Sequence, residues 1–521
     1  MPRRTVFLIS MFLCLFASLP TLLAQLPPAK KDPLSPAQSA QGKTGCSTTE
    51  ASSCAEAAAK ILPIVMGSSP MEENLRRLTD EVGGRVTGSP QMAKAVEWGV
   101  GAFRAAGVDV HTEKYTLPVT WSEGDTRLEL LGPVKFPVRL KAEGWSPATP
   151  AGGIEANVVD VSYGSEDDFA RAGGLVKGAI LLVHSDIGST WADLFNEYLR
   201  PPVIIEHALK EGARAILWMG ARERLLLYRH TNSLAGEIDK IPQAVLARED
   251  AMRLARTVAA YPGKVRVRFD MPNKIGGPIE QENVVGEIRG YEKPDEAVIL
   301  GAHLDSWELG TGALDNGCNS AMVIDAARVI RASGVIPRRS IRFVLFTGEE
   351  QGMLGSWAYA RAHRPELDRM TAAVIFDAGI GAVTGYSLGG RKDLLSAVRE
   401  AVEPVKSLGV KEFTFDIETG SDDFDFLLEG VPTLTANQAP ANYMLNYHAA
   451  SDTFDKVDIP QLKRHVAIAA VTAYALADRE QRIGPRQSRA EVEQLLKDDG
   501  LDRKAAMKWS LWQRGERGRQ P

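Results

Sequence analysis

The sequence VILGAHLDSWELGTGALDNGCNSA at residues 298–321 is followed by IRFVLFTGEEQG at residues 341–352. Each stretch begins with a short apolar run, and such runs are typical of buried strands. Polar groups follow each run at once, and in an open α/β sheet the crevice beyond the carboxyl ends of the strands is where ligands bind. We therefore expect one shared polar site at these two strand ends. Its candidate residues are His303, Asp305, Asp315, Glu349 and Glu350.

Imidazole and carboxylate groups in this combination are suited to metal binding. They are the ligands of catalytic zinc, which keeps a coordination position open for water. One histidine with several carboxylates is also enough for two metals that share a bridging carboxylate. Each fragment alone has a simpler interpretation, because H-x-D often forms a surface turn and paired glutamates often begin a helix. Their occurrence at two neighbouring strand ends favours a metal site.

The residues that follow extend the same pattern. The apolar run 372–376 ends in Asp377, and a further run at 431–435 precedes a loop that contains Tyr447 and His448. Helical segments alternate with these runs, and this alternation is typical of a parallel sheet covered by helices. The sequence thus predicts an α/β fold with a mostly parallel mixed sheet flanked by helices.

Residues 136–272 differ from this pattern, because short β-like runs alternate with helical segments and no dense cluster of His, Asp and Glu occurs. We interpret them as an inserted β-rich domain. Its histidines, His184, His207 and His230, are expected to be structural or surface residues. The predicted organisation is a signal peptide 1–24, a linker 25–54, a first part of the main domain 55–135, the insert 136–272, a second part 273–485 and a tail 486–521.

The 521 residues are too many for one ordinary core, and a formal net charge of -5 gives no reason to expect a nucleic-acid partner. Arg3 and Arg4 precede an apolar run that ends near Ala24, as in a secretory signal peptide. The alternative is an uncleaved anchor, against which Pro20 argues. We expect an exported protein, periplasmic or extracellular, without stable membrane insertion after cleavage.

Three cysteines follow the predicted signal peptide. Cys46 and Cys54 lie close together in a segment where a disulfide can persist after export, although sequence alone does not fix their connectivity. Cys318 has no evident partner and is expected to be a small packed residue.

The motifs GAHLDSW, DNG, GEEQG, Asp377 and YHAASDT resemble those of the co-catalytic di-zinc exopeptidases, metallopeptidase family 28, over most of residues 70–480. The resemblance implies the zinc exopeptidase type of fold, and the insert is similar to the protease-associated domain of many members. It implies two Zn2+ ions, a peptide substrate and hydrolysis of dipeptides or short peptides, and it suggests a homodimer. The implied roles are Asp315 as bridging ligand, His303 and Asp377 on one zinc, Glu350 and His448 on the other, Glu349 as general base, Asp305 as the acid behind His303, and Tyr447 as an oxyanion contact.

Several alternatives remain at this point. The same scaffold could carry a non-catalytic binding protein or a glutaminyl cyclase, and the peptidase could require a free N-terminus or a free C-terminus. Several relatives have Asp-Asp after the glycine-rich loop, whereas Asn316 follows Asp315 here, and Asn keeps the size and hydrogen bonding of Asp. The segment TGSDDFD at 419–425 is either part of the substrate pocket or an acidic solvated loop. The basic tail is either a solvated face or a membrane-surface contact.

Overall fold

The apolar run predicted around residue 298 forms the central strand of the main sheet in this computed structural model, which describes residues 48–233, 235–501 and 506–520. The predicted signal peptide and most of the predicted linker lie outside the described residues. The first helix begins at Thr48, so the last residues of the predicted linker are helical.

The described residues form both strands and helices. The strands are β1 Asp109–Leu117, β2 Thr120–Ser122, β3 Arg127–Gly132, β4 Leu140–Ala142, β5 Ile154–Asp160, β6 Ile180–Val183, β7 Ala215–Met219, β8 Gln243–Leu246, β9 Arg266–Asp270, β10 Lys274–Gly276, β11 Ile279–Ile288, β12 Lys293–His303, β13 Arg339–Phe346, β14 Met370–Ile375, β15 Val383–Ser387, β16 Glu412–Thr414 and β17 Thr433–Gln438. The helices are α1 Thr48–Met66, α2 Met71–Arg76, α3 Pro90–Ala105, α4 Glu166–Ala172, α5 Trp191–Leu199, α6 Pro201–Lys210, α7 Arg248–Ala260, α8 Cys318–Ser333, α9 Leu354–Ala362, α10 Leu395–Val402, α11 Asp423–Leu428, α12 Tyr443–Asn446, α13 Ile459–Asp478, α14 Arg489–Asp498 and a C-terminal helix Ala506–Gln513.

The main sheet has eight strands in the order β1-β11-β13-β12-β14-β17-β15-β16. Its four central strands, β13, β12, β14 and β17, run parallel to one another. With the β15–β16 pair, four of the seven neighbouring pairs are parallel and three are antiparallel. The predicted mostly parallel mixed sheet is confirmed.

Helices cover both faces of this sheet, and the alternation of side chains along β12 explains why. Val298 and Leu300 pack into the core formed with α1, α8 and α13. Ile299 faces the opposite side and packs with Tyr359 of α9 and Phe426 of α11. A strand buried on both faces needs apolar residues at every position, which is the continuous run seen in the sequence.

The inserted residues form a second sheet of seven strands in the order β3-β9-β5-β6-β7-β8-β4. The chain leaves the main sheet after β1 and returns to it at β11, and the ribbon of β2 and β10 joins the two crossings. Strands β5, β6 and β7 are parallel, with α4 to α6 between them. The second sheet begins at Arg127, before the predicted start of the insert. The likeness to a protease-associated domain and the domain boundaries stay predictions.

The C-terminal tail folds back onto the main domain. Arg517 is completely buried and donates from Nε and from its terminal nitrogen to the Asp425 carboxylate at 2.7 and 2.8 Å. Trp512 is also buried, against α11 and α14. The interpretation of the basic tail as a solvated face is therefore wrong for Arg517, because Arg517 is buried and forms an ion pair with the carboxylate of Asp425. Within the described ranges, every helix is too short or too polar to cross a bilayer.

Candidate metal centre

Four adjacent parallel strands end at one edge of the main sheet and carry the candidate residues there. His303 is the last residue of β12, level with the end of β13. Glu349 lies in the turn after β13, Asp377 lies two residues after β14, and His448 lies in the loop that follows β17 and α12. Because all four strands point the same way, residues up to 145 positions apart in the sequence converge.

The donor atoms form two groups that share Asp315. His303 Nε2 lies 3.2 Å from Asp315 Oδ1 and 3.0 Å from Asp377 Oδ1. His448 Nε2 lies 3.3 Å from Asp315 Oδ2 and 3.0 Å from Glu350 Oε2. In each group, one donor atom from each of the three residues lies within 4.8 Å of the others. Asp315 thus presents one carboxylate oxygen to each group, as a ligand that bridges two metals does.

The electrostatics of the two groups fit a bound cation. Glu350 Oε1 is buried and makes no hydrogen bond among the described residues. Burial alone would lower the pKa of His448, but the negative charges of Glu350 and Asp315 outweigh it and raise that pKa to about 9. Buried carboxylates require a paired charge, and the set of imidazole and carboxylate donors is one that zinc accepts.

Asp305 connects the two strand ends behind the donor groups. Its carboxylate accepts the N–H of Glu349 at 3.2 Å and the N–H of Glu350 at 3.3 Å. Thr87 donates its hydroxyl to the same carboxylate at 3.0 Å. His303 Nδ1 lies 3.1 Å from the backbone oxygen of Asp305 and 3.6 Å from its carboxylate. Asp305 therefore holds the turn that carries both glutamates and also faces the outer side of His303.

Glu349 occupies the rim of the site. Its Oε2 lies 4.0 Å from His303 Nε2, and burial raises the pKa of its carboxyl well above the ordinary value. The preceding residue, Gly348, has φ of 75°, and a Cβ there would lie 2.7 Å from the hydroxyl of Tyr115. Only glycine fits this turn, which aims Glu349 and its neighbour in different directions.

Two residues to which the sequence analysis assigned no role position the candidate ligands. Asp452 accepts hydrogen bonds from three consecutive backbone N–H groups that end at Asp315. Burial and the charge of Asp315 raise the pKa of Asp452 to about 7. Asn316 donates to the backbone oxygen of Phe376 at 2.9 Å and to Asp377 Oδ1 at 3.0 Å. The YHAASDT motif, which also contains the ligand candidate His448, is the signal that could have identified Asp452.

The inserted domain also reaches the centre. Tyr447 stacks on His448 with ring centroids 3.7 Å apart, and its hydroxyl lies 2.6 Å from the hydroxyl of Tyr198 in α5. His230, which was expected to be structural or on the surface, is buried and contacts both Tyr198 and His448. His184 pairs with Asp160 and His207 packs on Phe169. Nothing in the sequence near His230 or Tyr198 indicates this proximity.

The segment at 419–425 is not solvated. Ser421, Asp422, Asp423 and Asp425 are each no more than 3% exposed, so the interpretation as an acidic solvated loop is wrong for them. Asp422 faces Asp377 and the charge of His303, and burial raises its pKa well above the ordinary value. The segment forms a wall of the centre beside Asp377.

Cys318 is buried as expected, with Sγ 3.4 Å from the backbone oxygen of Leu314. Cys46 lies outside the described residues, and its pairing stays a prediction.

The fold and the donor set together define a class of peptidase. Residues 283–473 match the model of Peptidase family M28, and the chain carries a domain of this family. The predicted enzyme class, a metallo-exopeptidase, is confirmed at the level of the family.

Individual relatives agree with this assignment. The chain is 29% identical to carboxypeptidase Q of Mus musculus over 414 residues, which cover 79% of this chain and 86% of the relative. A solved peptidase M28 precursor from Shewanella amazonensis SB2B superimposes with a TM-score of 0.76 at 28% identity, over 84% of this chain and all of that one. A zinc aminopeptidase from Bacillus subtilis shares the fold, with a TM-score of 0.62 at 20% identity over 80% of this chain and 97% of that one.

Proposed function

We propose that this protein is a di-zinc exopeptidase that hydrolyses dipeptides or short peptides. The observation that carries the proposal is the pair of donor groups that share Asp315, each with its atoms within 4.8 Å. His303 and Asp377 would hold one zinc, and Glu350 and His448 the other. Two bound zinc ions would lower the pKa of a water and polarise the peptide carbonyl.

The residues around this centre have the properties that the reaction requires. Glu349 lies at the rim of the donor groups, with Oε2 4.0 Å from His303 Nε2, where its carboxylate would accept a proton from the attacking water and return it to the leaving amine. Tyr447 stacks on His448, and its hydroxyl would donate to the developing oxyanion. Asp305 would keep both glutamates in place through their backbone N–H groups.

Specificity is tested with three substrates and two variants. Cleavage of a free dipeptide, its N-acylated form and its C-amidated form is compared in the presence of zinc. Loss of cleavage on N-acylation alone indicates an aminopeptidase, and loss of cleavage on C-amidation alone indicates a carboxypeptidase. Loss of cleavage after either modification indicates a dipeptidase. Glu349→Gln is expected to retain zinc and to lose nearly all turnover, whereas His448→Ala is expected to lose about one equivalent of zinc.

Other outcomes of these assays would replace the proposal. Zinc binding without cleavage of any substrate would favour a binding protein, and cyclisation of an N-terminal glutamine without cleavage would favour a cyclase. Near-normal turnover in Glu349→Gln would refute the role of Glu349.

We also propose export, because the basic and apolar residues at the N-terminus resemble a signal peptide. N-terminal sequencing of the protein from culture fractions tests export directly.

A further inference from the structure

Residues 227–230 of the insert bind the backbone of the loop that carries His448. The N–H of Arg229 donates to the backbone oxygen of His448 at 3.1 Å, and the N–H of Ala450 donates to the backbone oxygen of Leu227 at 2.9 Å. Tyr228 and Ala449 form an antiparallel bridge between these hydrogen bonds. The insert therefore fixes the main chain of this loop directly.

His230 continues this contact with its side chain. Its Nδ1 lies 2.9 Å from His448 Nδ1, with the ring planes at 67°. Its Nε2 contacts the carboxylate of Glu197, and Arg222 donates to the same carboxylate at 2.7 Å. His230 is 5% exposed and Arg222 is 4% exposed, whereas the Glu197 side chain is 11% exposed and lines a cavity of about 590 Å³ together with His230.

The donors and acceptors along this chain are complementary. Because Nε2 of His448 faces Asp315 and Glu350, a metal bound there leaves the ring hydrogen on Nδ1. That hydrogen points at Nδ1 of His230, which then is the unprotonated acceptor and also lies 3.1 Å from the hydroxyl of Tyr198. His230 consequently carries its own hydrogen on Nε2 and donates it to Glu197. Each ring nitrogen of the two histidines thus has a partner of the correct kind.

We propose that His230 is a positioning residue that fixes the tautomer and ring orientation of His448 for metal binding, with Glu197 and Arg222 as its support. This inference rests on the proposed function, in which His448 is a zinc ligand. Loss of the outer partner of a metal-bound imidazole typically lowers metal affinity about 10- to 100-fold. Among the described residues, the contacts of His230 lead to His448 and not to His303, so the loss should affect one zinc only.

The test is zinc titration of the metal-free protein in competition with a chromophoric chelator, which resolves the two binding steps. His230→Leu removes the acceptor and is expected to weaken one step about 10- to 100-fold and to leave the other within about twofold. His230→Asn keeps an oxygen close to the position of Nδ1 and is expected to restore most of the affinity. His207→Leu, a change of another histidine of the insert, is the matched control and should leave both steps unchanged.

Thermal unfolding of each metal-free variant separates positioning from a general loss of structure. Parental affinity at both steps in His230→Leu would overturn the inference, and so would equal weakening of both steps in the Leu and Asn variants. If His230→Leu does not fold, His230→Asn and Glu197→Gln test the inference instead. His230→Asn should then bind zinc with near-parental affinity, and Glu197→Gln should weaken a single binding step. Retention of two zinc equivalents by His448→Ala would instead refute the ligand assignment itself.

Discussion

Asp452 should control both metals at once, because it holds the backbone of the ligand that the two donor groups share. Its Oδ1 accepts the N–H of Ala313 at 3.1 Å and of Leu314 at 2.7 Å, and its Oδ2 accepts the N–H of Asp315 at 3.1 Å. Asp452 is 3% exposed, so bulk water does not replace it at these donors.

Two substitutions of Asp452 give graded expectations. Asp452→Ala leaves three buried N–H groups without an acceptor, and each costs about 1–3 kcal/mol, so the free energy of unfolding should fall by about 3 kcal/mol or more. Asp452→Asn keeps the oxygen that serves Ala313 and Leu314, but its amide nitrogen meets the N–H of Asp315. One lost acceptor predicts a decrease of about 1–3 kcal/mol.

The assay combines urea unfolding of the metal-free protein with the zinc titration. Because Asp315 belongs to both donor groups, Asp452→Asn should weaken both zinc-binding steps, about 10-fold or more each. Asp455→Asn is the control, since that side chain is 69% exposed and lies in the same loop. Parental zinc affinity together with parental unfolding in Asp452→Asn would refute the reasoning, and weakening of a single step would refute the shared role of Asp315.

Three further predictions follow from contacts around the centre. Tyr198→Phe removes a hydroxyl that makes a 2.6 Å hydrogen bond to the hydroxyl of Tyr447. The kcat should fall about fivefold to tenfold, while the zinc content, measured in parallel, should stay constant. Burial alone would lower the pKa of His363, but the hydrogen bond to Glu113 outweighs burial and the pKa of His363 is raised. The His363–Glu113 pair therefore stabilises the fold below about pH 6.5, and this stabilisation is lost as the pH rises through the pKa of the folded state. His363→Gln should therefore cost about 0.5 kcal/mol in urea unfolding at pH 5.5 and little at pH 9, and an equal cost at both would contradict the pairing. Arg517→Met leaves the buried Asp425 carboxylate unpaired and should cost about 3–5 kcal/mol, whereas adding Asp425→Leu should recover part of that loss in the same unfolding assay.

The sequence predicts the centre of this fold because its signals there are local. β12, β13 and β14 are buried on both faces, so each appears as an uninterrupted apolar run that ends in the polar residues it delivers. Strands at the periphery carry less information. Strands β15 and β16 lie at one side of the sheet and have partly polar sequences, and neither was predicted. An edge strand such as β16, in which every residue is at least partly exposed, does not require the continuous apolar pattern that identifies a central strand.

The supports of the ligands are harder to predict than the ligands, for a physical reason. The candidate ligands are histidines and carboxylates, and several of them follow strand ends directly, so residue type and position together reveal them. A supporting residue needs only a hydrogen-bonding atom at the correct distance, and it can come from any part of the chain. His230 lies in an irregular segment and meets His448 across 218 positions, beside the β-bridge between Tyr228 and Ala449. The hydrophobic periodicity of the sequence does not indicate such a contact, because the contact depends on how the two sheets pack together rather than on either sheet alone. The contact between His448 and the inserted domain is consequently a property of the tertiary structure, and under the proposed role of His230 a residue outside the family motifs would affect zinc binding.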